Sequence, residues 1–240
     1  MNRTPFLLAI FLFAFSACSI SGQTNSAPEF TKAQKASEYP AAKSEAAAAL
    51  TRLQTKWKQG TARAELLKTA KKQVPKMIVN DLVPHWYGTT WAFSGTTQTP
   101  QKGEIACGYF VTTLLRDAGF KVERVRMAQQ ASLNIIRSLT PRDQIRDYSR
   151  ISTAELKKRV EKMPEGLFVV GLDIHTGFIY HGEGDVWFIH SSYGNPAVVV
   201  CERAAKSAVL AQSNRFVLGR IDNDWLLKKY LAGEAITTVR

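Results

Sequence analysis

The chain is poor in cysteine and histidine, with three of the first and four of the second among 240 residues. Three thiols are too few for a disulfide-stapled scaffold, so an apolar core must supply the stability and each cysteine needs its own account. Neither residue type shows the close Cys-x-x-Cys or His-x-x-x-His spacing of a metal site, and no Gly-rich phosphate loop occurs. No metal and no cofactor are therefore expected. Acids are also scarce: 20 Asp+Glu against 32 Lys+Arg give a net charge of +12. That excess favours an anionic partner, whether nucleic acid, anionic lipid or a cell-wall polymer. Internal repeats are lacking as well. Core material is not: 45% hydrophobic and 10% aromatic residues exclude disorder throughout.

Long apolar runs are confined to the start. Arg3 is followed by Pro5 to Ala17, an apolar stretch of about a dozen residues where a membrane span needs roughly 20. Residues 1–22 are therefore read as a signal peptide. Two cleavage readings stay open. Phe15-Ser-Ala-Cys18 is a loose lipobox whose Cys18 would carry a lipid, and Ile20-Ser-Gly22 before Gln23 suits an ordinary signal peptidase. Either way the expected location is outside the cytosol, periplasmic, in the envelope or anchored as a lipoprotein. The leader holds one Arg and no acid, leaving a mature charge of +11. Export argues against nucleic acid as the target of that charge, and no basic-aromatic stripe is present to bind it.

Residues 23–40 are Thr, Asn, Ser, Ala, Pro and Lys without periodicity and read as a flexible linker. Over 41–59 the spacing of Ala46, Leu50, Leu53 and Trp57 predicts a helix stopped by Gly60. A second helix is expected from Ala62 toward Val83, kinked or divided at Pro75. Together 41–83 form a helical extension to a domain over 84–240. Within that domain the pattern predicts a helix from Cys107 to Ala118 and a helical region around 128–139. A capping box, Ser152-Thr-Ala-Glu155, opens a helix through Met163. Strand-like runs follow at 167–173, 176–180, 186–190, 197–201 and 215–220, some separated by short turns such as Gly182 to Asp185. Helices first and an antiparallel sheet second make the class α+β.

Cys107 stands directly before an apolar-periodic helix ended by Gly119. A thiol there sees the positive end of the helix dipole and unpaired N–H groups, so its pKa is expected to fall; the same N–H groups can face an oxyanion. His175 opens one strand and His190 ends the next, and the short turn between them makes the strands adjacent. A neutral imidazole beside the thiol can take its proton, and a second polar residue can hold that imidazole's tautomer. His85, beside Trp86 and Tyr87, reads as packed, His181 as solvent-facing and Cys201 as a buried hydrophobe.

Three blocks resemble the NlpC family of papain-like cysteine peptidases, the secreted cell-wall endopeptidases. Gly88-Thr-Thr-Trp-Ala-Phe-Ser-Gly-Thr96 is similar to the family's Gly-Thr-Pro-Tyr-x-Trp-Gly-Gly-Thr segment, and Ala106-Cys-Gly-Tyr-Phe-Val111 to its Asp-Cys-Ser-Gly-Phe-Val. His175-Thr-Gly-Phe-Ile-Tyr180 with Phe188-Ile-His-Ser-Ser192 is similar to its His-Val-Gly-Ile-Tyr and Phe-Ile-His-Ala-Ser. The resemblance covers residues 86–200. It implies Cys107 as nucleophile, His175 as general base and His190 as third polar residue, on a helix packed against a small antiparallel sheet. Trp91, Gly108 and Tyr109 fall at substrate-binding positions. The chain departs from the family at Ala106, where an Asp is usual, and at Trp91, where a Tyr is. An indole N–H donates but cannot accept as a hydroxyl does. Between Cys107 and His175 the residues around 128–163 form a helical insertion beside the expected cleft.

The resemblance implies a secreted or lipid-anchored cysteine hydrolase that cuts an amide bond in peptidoglycan stem peptides through a thioester. Its partner would be peptidoglycan or another anionic envelope polymer. The alternative is a catalytically inactive envelope-binding protein that keeps the fold.

Overall fold

Alanine-rich sequence with a proline in its first turn builds helix α1 (Tyr39–Lys58), which buries Tyr39, Ala46 and Leu53. It stops as its sequence predicts: Gly60 takes φ +78°, and its N–H closes on the Trp57 carbonyl. Helix α2 (Arg63–Lys76) follows. Pro75 does not divide it. Downstream the chain passes into a π-helical stretch at Met77–Leu82 and a 3-10 turn at Val83–Trp86. The computed structural model describes residues 27–60 and 62–240, so the signal-peptide and Cys18 readings lie outside the described residues.

Next come α3 (Cys107–Asp117), β1 (Lys121–Val122), α4 (Arg124–Ala128), α5 (Ser132–Leu139), β2 (Arg146–Ser149) and α6 (Thr153–Glu161). The strands β3 (Gly166–Gly171), β4 (Thr176–Gly182), β5 (Asp185–Ser191) and β6 (Val199–Arg203) follow. Then come the short α7 (Ala208–Ala211), β7 (Arg215–Arg220), α8 (Asp224–Ala232) and β8 (Ala235–Ile236). The main sheet runs β2-β7-β3-β4-β5-β6 with every neighbouring pair antiparallel. The class is α+β.

Strands β3, β4, β5 and β7 are apolar at successive positions because both faces of the sheet are covered. On one face Leu167, Val169, Phe178, Ile189 and Val217 join a core with α1, α2, α3 and α8. On the other, Phe168, Val170, Ile179, Phe188 and Phe216 pack against Leu156 and Val160 of α6 and Leu210 of α7. Alternate residues point to opposite faces, so a strand buried on both sides reads as an unbroken apolar run. The Ser152 hydroxyl caps α6 by accepting from the Glu155 N–H, as the capping box predicts.

Several boundaries differ from the sequence reading. The helical region near 128–139 is two helices, α4 and α5. Strand β6 begins two residues later than the apolar run at 197, because Asn195 to Val198 turn the chain into it. Strand β2 and helix α8 have no counterpart in that reading. Residues 41–83 are not an appendage, since Leu53, Leu66 and Ala70 share one core with the sheet. The described part of the 23–40 segment is not a free tether either. Phe30 is 5% exposed, its ring meets Tyr180 and Trp187 edge-on at 5.5 and 5.4 Å, and its carbonyl accepts from the Tyr87 hydroxyl. One aromatic residue in a polar stretch carries no periodicity, so its burial has no local signature. Phe30→Ala is expected to lower unfolding free energy by about 3 kcal/mol, measured by denaturant titration; a change within about 0.5 kcal/mol would mark the segment as loosely held.

Candidate active site

Helix α3 begins at Cys107 because the chain before it is tied down at three points. Residues 88–91 run along the end of β6, with Gly88 N–H bonded to Val199 O and Trp91 N–H to Ala197 O. Ile105 N–H bonds to Thr90 O, Ala106 N–H to Gly95 O, and the Ser191 hydroxyl donates to Ile105 O at 2.7 Å. Ala106 is the extended N-cap residue, and no side chain caps the helix. First-turn N–H groups therefore have no intrahelical partner. The backbone of Cys107 and Gly108, and that of Thr176 at the start of β4, favours the thiolate form of Cys107. Thr176 directly follows His175, so the thiol lies near the start of β4.

His175 and His190 lie across the β4–β5 hairpin, where Phe178 pairs with Ile189 and Gly182 with Asp185. His175 Nε2 and His190 Nδ1 are 2.9 Å apart, and both residues are buried. Phe188 stacks on the His190 ring with centroids 3.9 Å apart and planes 17° from parallel. Gly177 makes room for the stack, since a Cβ there would sit 2.8 Å from His190 Cβ and from Phe188 Cε2. Beyond His190 the series continues to a residue the sequence reading missed. Glu202 on β6 places Oε1 3.2 Å from His190 Nε2. A lone acid near the end of a strand carries no motif, and only the β5–β6 register, with His190 opposite Val200, turns it toward the histidine.

Electrostatics follow from burial. Burial, with the charge of His190, pushes His175 down to about 3, so it is a neutral imidazole at physiological pH. Burial also lowers His190, against the opposing pull of Glu202. Burial alone would raise Glu202, but bonds from His190 and Ser207 outweigh it and keep this carboxyl below its usual range. The Cys107 expectation is corrected here. Desolvation pushes its thiol up, and the backbone of those three residues only opposes the rise. Among the described residues no hydrogen bond joins that thiol to His175, so the resting pair is neutral.

Trp91 stands 6.1 Å from the Tyr193 ring, and its buried indole N–H has no partner among the described residues. Tyr193, also missed in the sequence, lies 5.1 Å from His175 and close enough to Cys107 for the thiolate charge to raise its own pKa, after burial. Tyr109 packs under Arg124 at 4.8 Å, and Gly108 is buried where any Cβ would strike the Ala128 carbonyl. From the 128–163 region Ala128 thus backs the start of α3. A cavity of about 240 Å³ beside His175 is lined by Leu172, Asp173, Ile174, Tyr193, Val209 and Gln212. His85 is buried with Nδ1 2.7 Å from Lys35 O. His181 is half-buried, not solvent-facing, because β4 extends through Gly182, and among the described residues its Nδ1 has no partner. Cys201 packs on the core beside Tyr87, and burial pushes its thiol up to about 12. Among the described residues no group of three or more His, Cys, Asp and Glu is arranged for a metal ion.

Comparison with family models, with curated proteins and with solved structures finds no match to this chain.

The histidines make stability depend on pH in a definite direction. An unfolded His takes a proton near 6.5, whereas native His175 refuses it until about 3. Below 6.5 the unfolded state therefore binds more protons, and stability falls by at most about 1.4 kcal/mol per pH unit for this group. Between pH 7 and pH 5 the loss is expected at roughly 1–2 kcal/mol, and His175→Asn should remove most of it. Denaturant midpoints at the two pH values check this; an equal loss in the variant would contradict a buried neutral His175.

Proposed function

We propose that this protein is a cysteine hydrolase of the papain-like, NlpC type, exported to the cell envelope, where it cuts an amide bond in peptidoglycan stem peptides. The observation that carries this reading is the juxtaposition of Cys107 at a helix N-terminus with a buried, neutral His175–His190 pair. The order Cys, His, His along the chain, with His175 directly before β4 and His190 on β5, agrees with the family resemblance of residues 86–200.

In this mechanism the Cys107 sulfur attacks the amide carbonyl while its proton passes to His175 Nδ1, the ring nitrogen not engaged by His190. The oxyanion forms at the α3 N-terminus, where backbone N–H groups and the helix dipole stabilise it. Collapse breaks the C–N bond, His175 gives its proton to the leaving amine, and a thioester remains on Cys107. Water then attacks, losing a proton to His175, and the acid leaves as the thiol is restored. A raised thiol pKa makes the thiolate form during attack and not before it, so the resting protein is slow toward simple alkylating agents.

Anionic wall polymer fits the charge distribution. Residues 41–83 hold nine Lys and Arg against three acids. Arg52, Lys56, Lys72 and Lys76 line a cavity of about 660 Å³ between α1 and α2, together with Glu45 and Asp81. Long-range attraction of this kind raises encounter rates and is screened by salt.

Purified peptidoglycan incubated with the protein should release new amino groups. Cys107→Ala should abolish the release and His175→Ala reduce it about a thousandfold or more. Binding to peptidoglycan should persist in Cys107→Ala and weaken as salt rises. Binding without amine release in the unaltered protein would instead support the non-catalytic envelope-binding reading, for which the high thiol pKa is the favouring observation.

A further inference from the structure

We propose that Glu202 is a positioning residue that fixes the protons along the two histidines and so leaves His175 Nδ1 bare to accept the Cys107 proton. A carboxylate has only acceptor sites, so the 3.2 Å contact to Glu202 requires the proton on His190 Nε2. A neutral His190 then has a bare Nδ1. That atom lies 2.9 Å from His175 Nε2, so the one proton between them is donated by His175. A neutral His175 protonated at Nε2 has its lone pair at Nδ1. The base is thus set from the far end of a three-residue series, two strands away from the nucleophile's neighbour.

Independent features hold Glu202 to this role. The Ser207 hydroxyl accepts from the Leu210 N–H at 3.1 Å, and the Ser207 side chain favours the charged form of Glu202. The Glu202 side chain is 33% exposed and that of His190 is 0%, so the charge sits at the rim while the bond it directs is fully enclosed. The Phe188 stack prevents His190 from rotating away. Tyr193 and Cys107 lie toward the His175 end, Asp173 lines the cavity beside His175 and Cys201 adjoins Glu202; among the described residues no hydrogen bond joins any of them to His190 Nε2. When His175 takes the thiol proton, the imidazolium charge faces a pair polarised by the carboxylate, which favours the transfer.

The role in turnover rests on the proposed hydrolase reading, but the proton positions do not. Nitrogen-15 NMR of the full chain, labelled at histidine, should show both His175 and His190 as the Nε2–H tautomer at neutral pH. In Glu202→Ala the His190 tautomer should become mixed, and Nδ1–H should appear on His175. Glu202→Gln keeps the shape but adds a donor and removes the charge, and should show the same mixing in part. In the amine-release assay Glu202→Gln should lower kcat about 10–100-fold with KM little changed. An Nδ1–H His190 in the unaltered protein, or unchanged tautomers in Glu202→Ala, would overturn the proposal. Correct tautomers with no amine release in the unaltered protein would instead defeat the hydrolase reading and leave this one standing.

Discussion

The 2.9 Å contact between His175 and His190 is the interaction on which the site depends. It spans the β4–β5 hairpin, so it exists only while Phe178 pairs with Ile189 and the short turn at Gly182 to Asp185 closes the ladder. A slip of one residue in that register would send His190 to the opposite face, against α3 and its core. The register is held by Ile179 and Phe188 on one face and Phe178 and Ile189 on the other, all with no measurable exposure. Burial of such side chains is worth about 1.5–3 kcal/mol each, far more than the surface ion pairs the chain also makes, such as Arg215–Asp147.

Burial has a chemical consequence. A desolvated site disfavours charge on every member, and here it lowers both histidines and raises the thiol. Only Glu202, at the rim and bonded by His190 and Ser207, keeps its charge readily. The arrangement thus has a carboxylate at one end and a neutral thiol at the other; in the proposed mechanism the thiol proton moves to His175. The α3 N-terminus supplies the third element, because the loop at 88–106 is bonded both to the sheet end and to the helix start.

Much of this arrangement is legible in the residues. The apolar-periodic run after Cys107, the capping box at Ser152 and the paired strands around the Gly182 turn are local signals, and the structure realises each within a few residues. The histidine pairing follows from the same hairpin. Glu202 is different, since its meaning comes from the β5–β6 register and a loop of seven residues precedes that strand. Phe30 and the shared core of α1 and α2 are likewise long-range facts with no periodic trace. The helix terminus alone points to a lowered thiol pKa, whereas burial raises it, because desolvation depends on what packs around the sulfur and one segment cannot report that.

Whether Cys107 forms a covalent acyl-enzyme is the most direct question to put to this site. Intact-mass spectrometry of the protein quenched in acid during reaction with soluble peptidoglycan fragments answers it. The account predicts a mass increase equal to the acyl half of the cleaved fragment, lost on hydroxylamine treatment and mapped to the peptide containing Cys107. Release of amine with no such adduct, or an adduct that persists in Cys107→Ala, would contradict it.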